Sequence, residues 1–370
     1  MVPKTRRRTA CLGRLAKVGG LSPFGGGLSV YLFSYWDEYI ILHRRPVFNR
    51  FLFFEIIFSE KIDFSLKGSV IMGTLNKKIV FEGAATALIT PMKNGEVDYE
   101  SFGRLIDAQI AGGIDALVVC GTTGEAATLT DAEHKECIRY TVEKTAGRVP
   151  VIAGTGSNDT AYANELSKYA CDVGADALLL VTPYYNKTSP KGLVKNFLAT
   201  ADVCTKPIIL YNVPGRTGMN MSVSVLRELA KHENIVGVKE ASGNLSQVAE
   251  IAAELGDDLA LYSGNDDQII PVMSLGGRGV ISVLSNIMPK ETHDMCALFA
   301  NGDVKAARDL QLRLLHLINN LFIEVNPIPV KAACALMGIC DEEIRLPLCE
   351  MEDAHLEALK ASMRREGLIL

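Results

Sequence analysis

Ile235-Val236-Gly237-Val238-Lys239-Glu240 decides the reading of this chain. Four apolar or glycine positions in a row leave no polar alternation, so the segment is expected to be a parallel strand covered on both faces. A lysine stands at its carboxyl end. Ammonium is costly to bury. A lysine so placed either snorkels to water or stays inside, lowers its pKa and becomes a nucleophilic amine. Such an amine can form a Schiff base with a carbonyl substrate. The segment alone favours the snorkelling lysine, and the pattern on either side of it reverses that preference.

From residue 79 onward, short apolar runs alternate with longer stretches of helical period. The runs cover 84–89, 116–120, 149–153, 177–181, 207–211, 235–239, 259–262 and 279–283, which makes eight. Phe102, Leu105, Ile106 and Ile110 recur at helical spacing and stop at Gly112-Gly113, a C-cap signal. Thr130-Asp131-Ala132-Glu133 reads as a capping box. Leu226, Leu229 and Ala230 mark another helix, and Val248, Ile251, Ala252 and Leu255 one more. Eight strand–helix units of this length predict an α/β protein, a (β/α)8 TIM barrel. A doubly wound open sheet is the alternative, and it would bring a Gly-rich phosphate loop after its first strand. Here that strand runs into Thr90-Pro91-Met92, and Gly154-Thr155-Gly156 lacks the rest of a dinucleotide fingerprint. Past the eighth run, helical patterns over 290–299, 303–322, 329–337 and 353–365 exceed one closing helix. They read as an appended C-terminal helical layer involved in assembly. The expected organisation is an N-terminal extension at 1–71, a catalytic barrel at 72–295 and a C-terminal helical region at 296–370.

Composition narrows the function. A 370-residue chain with 48% hydrophobic and 22% charged residues is an ordinary globular mixture with room for a large core. Its net charge of -5 argues against nucleic acid as a partner, because phosphate binding needs a basic face. The nine cysteines are scattered and none forms a C-x-x-C pair, which fits reduced thiols in a cytoplasmic protein. Cys334, Cys340 and Cys349 have no histidine at ligand spacing, so no metal is expected there. Residues 1–71 differ from the rest, with an Arg-rich start, a glycine run and the apolar piece 47–58, broken by Arg50 and Glu55. That piece is too short and too charged to span a bilayer. A transit peptide and a surface-lying amphipathic segment are alternatives. The preferred expectation is a native start at Met72, with the upstream stretch disordered or foreign to the native protein.

In a barrel, chemistry sits at the carboxyl ends of the strands. Strand two ends in Gly121-Thr122-Thr123-Gly124-Glu125, whose glycines let backbone N–H groups and two hydroxyls curl around a small carboxylate. Strand four ends in Thr182-Pro183-Tyr184-Tyr185-Asn186, and strand five in Tyr211-Asn212-Val213-Pro214-Gly215-Arg216-Thr217-Gly218. With Lys239, this gathers an amine, phenols, hydroxyls and a guanidinium at one mouth. Each has a bland alternative: Tyr184 and Tyr185 as caps on the barrel core, Arg216 as a loop brace, the glycine turn as a turn without a ligand. Their joint placement on one face is what argues for a site. No metal-ligand set and no Ser/His/Asp order competes, and His134, His293, His316 and His355 fall in helical patterns.

These residues stand in longer motifs. They are Gly121-Thr-Thr-Gly-Glu-Ala-Ala-Thr-Leu129, Val151-Ile-Ala-Gly-Thr-Gly156, Val181-Thr-Pro-Tyr-Tyr-Asn186, Leu210-Tyr-Asn-Val-Pro-Gly-Arg-Thr-Gly218, Gly237-Val-Lys-Glu-Ala-Ser-Gly-Asn244, Gly279-Val-Ile-Ser-Val283 and Asn326-Pro-Ile-Pro-Val-Lys331. In that order, from about Lys77 to Leu370, the chain resembles the dihydrodipicolinate synthase family of pyruvate-dependent class I aldolases. The resemblance implies condensation of pyruvate with L-aspartate 4-semialdehyde, on the diaminopimelate route to L-lysine. It implies a covalent imine with pyruvate and no metal or organic cofactor. Lys239 matches the Schiff-base lysine and Tyr211 the tyrosine that relays protons to it. Thr122 matches the threonine linking Tyr211 to a second tyrosine, matched by Tyr185, which in the family enters the neighbouring subunit's site. Thr122 and Thr123 match the pyruvate carboxylate binders, Ile281 falls among the substrate-binding positions, and Arg216 matches the arginine that grips the semialdehyde carboxylate.

The resemblance further implies a homotetramer, a dimer of tight dimers, with no nucleic-acid or membrane partner. Asn158, His134 and Tyr184 match a cleft where L-lysine inhibits many family members. Asp131 and Tyr162 stand where lysine-sensitive members carry a histidine and a glutamate, which argues for insensitivity. Within the superfamily, N-acetylneuraminate lyases and keto-deoxy-sugar-acid aldolases share the lysine and tyrosine, but Arg216 in its Pro-Gly-Arg-Thr-Gly setting and the paired threonines favour the synthase. A catalytically silent barrel serving as scaffold or sensor would have no use for Lys239, Tyr211, Thr122, Tyr185 and Arg216 together.

Overall fold

Parallel strands of four to six residues alternate with helices from Gly83 onward in the computed structural model, which describes residues 75–370 and, before them, the backbone of four short strands. The chain divides into two units, residues 1–66 and 67–370. In the first, Ala16–Gly19, Ser29–Tyr35, Glu38–Arg44 and Phe54–Ile57 pair antiparallel in chain order. They fall within the stretch expected to be disordered or foreign to the native protein. The expected start at Met72 lies outside the described residues.

In the second unit the strands are β1 (Gly83–Ala87), β2 (Ala116–Val119), β3 (Val151–Gly154), β4 (Ala177–Val181), β5 (Ile208–Asn212), β6 (Ile235–Glu240), β7 (Ala260–Ser263) and β8 (Gly279–Ser282). They close into a barrel in chain order, β8 pairing with β1, so the (β/α)8 expectation holds and the open sheet is excluded. Closure is tight. A Cβ on Gly279 would sit 1.7 Å from the Gly83 carbonyl oxygen, and its φ of 145° is one that side-chain-bearing residues rarely adopt. The helices are α1 (Tyr99–Ala111), α2 (Asp131–Thr145), α3 (Thr160–Asp172), α4 (Pro190–Ala201), the single turn α5 (Pro214–Thr217), α6 (Val223–Leu229), α7 (Leu245–Leu255), α8 (Ile269–Ser274), α9 (Pro289–Ala300), α10 (Val304–Asn320), α11 (Ile328–Leu336) and α12 (Asp353–Arg365). The expected capping box opens α2: Thr130 Oγ1 accepts from the Glu133 N–H, and the Glu133 carboxylate accepts from the Thr130 N–H.

Side-chain alternation sorts the strands into two cores. Ala85, Ala87, Val118, Ile152, Leu179, Ile209 and Tyr211 fill the barrel interior, whereas Leu117, Leu178, Leu180, Ile208, Leu210 and Val238 pack outward against the helices. β6 breaks the alternation. Ile235 and Val238 both face outward, and the pairing with β5 slips by one residue between Ile208 and Ile209. The slip brings Lys239 opposite Tyr211, where an uninterrupted register would have placed Val238.

The amino-terminal end of the barrel is plugged. Phe81 stacks on Tyr262 with ring centroids 4.4 Å apart, and the Tyr262 hydroxyl donates to the Phe81 carbonyl at 2.8 Å. Lys77 Nζ donates to the carbonyls of Ala230, His232 and Ile235. The open end is therefore the carboxyl end. The boundary expected at 295 falls inside α9, which packs on β1 and β8 as the barrel's own eighth helix. α10 packs on α8 and α9, and α12 on α10 and α11, so the C-terminal helices continue the outer layer.

Candidate active site

β2 ends in a sharp turn. Cys120 takes a left-handed φ of 53°, Thr122–Gly124 form one 3-10 turn, and Glu125 is again left-handed at 56°. β3 runs so close that a Cβ on Gly154 would meet the Cys120 carbonyl oxygen at 2.2 Å. These constraints aim Thr122 at the barrel mouth. Thr123 is buried, and its Oγ1 accepts from Asn326 Nδ2 at 3.0 Å.

A cavity of about 630 Å³ opens at the mouth, walled by Thr122, Tyr211, Arg216 and Asn326 among others. Lys239 does not line it but lies behind Tyr211, its Nζ 4.3 Å from the centroid of the Tyr211 ring. Burial pushes the Lys239 ammonium down to about 7, the Asp266 carboxylate acting against that shift and the Arg216 guanidinium with it. The predicted snorkelling alternative therefore fails: the lysine is 6% exposed and its amine is available at neutral pH. Burial raises the Tyr211 phenol, while nearby Arg216 and a hydrogen bond with Thr122 pull it back. The pair is thus a buried amine beside a weak acid that is itself hydrogen-bonded to a threonine.

The strand ends that carry the pair are locked together. Glu240 is buried; its carboxylate accepts from Asn212 Nδ2 at 2.9 Å, Gln247 Nε2 at 3.0 Å and the Ser242 N–H at 2.7 Å. Arg216 projects from α5, and its Nη2 donates to the Asn326 carbonyl at 3.2 Å. Ile281 is fully buried inside the barrel on β8.

Tyr185 is not brought to this mouth. It is 90% exposed, with a left-handed φ of 65°, and does not line the cavity. Tyr184 and His134 do line it, His134 Nε2 lying 2.8 Å from the Gly154 carbonyl oxygen. Asp131 and Tyr162 share the same wall and hydrogen-bond to each other. Asn158 faces a neighbouring surface pocket instead. One cavity thus joins Thr122, Tyr211 and Arg216 to Asp131, His134, Tyr162 and Tyr184.

Three features were given no role from the sequence, although Asn326, Glu125 and Lys331 stand in the motifs quoted above. Asn326 stands 203 residues from Thr123, so only folding reveals their bond, and its Oδ1 is buried without a partner. Asp266 is buried beyond β7; its Oδ2 accepts from the N–H groups of Val283 and Leu284 at 3.0 and 2.9 Å. The run Asn265-Asp266-Asp267 at a strand's carboxyl end was a usable signal for it. The third is the buried Glu125–Lys331 ion pair, at 2.6 Å. Among the described residues no cluster of three or more His, Cys, Asp or Glu side chains is placed to hold a metal ion, and no helix is long and apolar enough to cross a membrane.

Residues 80–366 match the model of the dihydrodipicolinate synthetase family. A 4-hydroxy-tetrahydrodipicolinate synthase from Acetivibrio thermocellus is 54% identical over 293 residues, covering 79% of this chain and 100% of that protein. The crystal structure of dihydrodipicolinate synthase from Aquifex aeolicus superposes with a TM-score of 0.77 at 45% identity, covering 78% of this chain and 99% of that one. The enzyme from Cyanidioschyzon merolae with lysine bound gives a TM-score of 0.77 at 42% identity, covering 79% and 100%.

Proposed function

The chain belongs to the dihydrodipicolinate synthetase family, and from that membership we propose which of its residues carry the family's reaction. The reaction is the condensation of pyruvate with L-aspartate 4-semialdehyde through a lysine Schiff base, in the diaminopimelate route to L-lysine. The observation that carries the assignment is a buried amine held beside a buried phenol at a mouth that also holds a guanidinium.

Lys239 attacks the pyruvate ketone as a neutral amine and releases water to leave an imine. Tyr211 passes the protons that these steps require, with Thr122 as its hydrogen-bond partner. General acid–base assistance of this kind contributes about 10²–10⁴-fold. The hydroxyls of Thr122 and Thr123 hold the pyruvate carboxylate, and Ile281 is carried over from the family as a substrate-binding position. Loss of a methyl proton turns the imine into an enamine, whose carbon attacks the aldehyde. The semialdehyde's own amine then displaces Lys239, closing the ring and freeing the enzyme. Arg216 grips the semialdehyde carboxylate, a task suited to a planar guanidinium. Since the imine itself activates the substrate, the reading calls on no metal or organic cofactor. Tyr185, exposed on its own chain, completes the relay in a neighbouring subunit of a cytoplasmic homotetramer. The unpaired thiols of the described cysteines support the compartment.

Turnover of pyruvate with L-aspartate 4-semialdehyde, measured beside Lys239→Ala, tests the reading. Activity should vanish in the variant, and so should trapping of pyruvate by borohydride. Equal turnover by both proteins would refute the role of Lys239.

A further inference from the structure

Glu125 and Lys331 pair at 2.6 Å with both side chains only 1% exposed. One follows the Thr122–Thr123 turn; the other lies on α11, in the C-terminal layer. Each partner makes a second contact. The second Glu125 oxygen accepts from the Arg345 N–H at 3.1 Å, and Lys331 Nζ also donates to the Glu343 carbonyl. A buried ion pair is weak evidence for stability, since apolar residues of the same volume often do as well. Its value must lie in where it puts the charges and the backbone.

Two facts say where. Glu125 closes the turn, its N–H donating to the Thr122 carbonyl at 3.1 Å from a left-handed φ of 56°. Asn326, five residues before Lys331 in the same segment, holds Thr123 Oγ1 at 3.0 Å. The C-terminal segment therefore grips the turn at two adjacent points. The charge matters as well. A bare carboxylate at Glu125 would stand beside the hydroxyls that receive a substrate carboxylate, and like charges so placed repel.

We infer that Lys331 is a positioning residue for the substrate carboxylate: it pins the Thr122–Thr123 turn through Glu125 and neutralises that carboxylate. The inference rests on the reading of this turn as the pyruvate carboxylate site. It gives the C-terminal layer a part in the chemistry besides assembly.

The test is the pyruvate concentration that half-saturates borohydride trapping, with kcat and both KM values, on folded full-length variants checked by thermal melting. Lys331→Met strips Glu125 of its counter-charge and unpins the turn, and should raise half-saturating pyruvate about tenfold, with KM for the semialdehyde little changed. Adding Glu125→Gln to it removes the carboxylate but leaves the turn unpinned, so it should recover only about half of that loss, a partial rescue that a merely structural role would not give. Glu125→Asp keeps both charges but shortens the reach; it should fold, and should raise half-saturating pyruvate about fivefold even if Lys331→Met does not fold. Lys305→Met, in an exposed pair with Asp309, is the unaffected control. Folded Lys331→Met or Glu125→Asp protein with wild-type half-saturation would overturn the inference and leave the parent reading standing. A wild-type protein that traps no pyruvate would overturn the parent reading instead.

Discussion

Lys239 shows how one position sets a pH dependence. Its amine lies near 7, well below the usual lysine value, chiefly because burial disfavours the ammonium. The nucleophile is the neutral form, so imine formation is suppressed below that value and released as pH rises through it. The groups facing it from neighbouring elements are Tyr211 on β5, Arg216 on α5 and Asp266 beyond β7, while Glu240 on its own strand is engaged by Asn212 and Gln247. Initial rates of borohydride trapping should therefore rise with a midpoint near 7 and flatten by about pH 8.5. Asp266→Asn removes the one opposing charge and should move the midpoint down by about one unit. A rate still climbing towards pH 10 would show an ordinary surface-like lysine and contradict this account.

At the scale of elements, helix starts build the wall where the family resemblance places a candidate effector cleft. The Thr130 cap fixes the first turn of α2, a contribution of about 1 kcal/mol, and so fixes exposed Asp131 and buried His134 at the cavity wall. Tyr162 comes from the first turn of α3. Asp131 is already engaged, paired with Lys135 at 3.0 Å and hydrogen-bonded to Tyr162, and the Lys135 contact holds its carboxyl below the ordinary range. A ligand ammonium entering here finds a neutralised carboxylate and a phenol where a free carboxylate would bind it. We expect millimolar L-lysine to leave turnover nearly unchanged, and Tyr162→Glu to create inhibition. Strong inhibition of the unaltered protein below 1 mM would refute this.

The whole molecule raises the question of Tyr185. A non-glycine residue held at φ 65° and 90% exposed is an outlier that points to function rather than to folding. Its proposed place is the site of a second copy. Tyr185→Phe and Lys239→Ala proteins should each be inactive. Subunit exchange between them should restore about a quarter of wild-type activity, because half of randomly paired dimers then carry one complete site of two. Sedimentation should give a tetramer of two tight dimers. Full activity in a monomer, or no recovery on exchange, would contradict a shared site.

Periodicity determined the eight strand–helix units, and the missing Gly-rich phosphate loop favoured a barrel over an open sheet. Each of the eight apolar runs became a strand within two residues of its expected bounds, because a strand buried on both faces leaves a continuous apolar signature. The mouth was legible for a similar reason: strand ends bring Thr122, Tyr211, Arg216 and Lys239 to one face in any such barrel. Three things were decided only by tertiary structure. The one-residue slip in β6 aligned Lys239 with Tyr211, and register depends on the neighbouring strand. Asn326 and Lys331 met the carboxylate turn across more than 200 residues, which no local pattern encodes. The lysine's lowered pKa came from its surroundings, since desolvation is a property of everything packed around a group and not of the group itself.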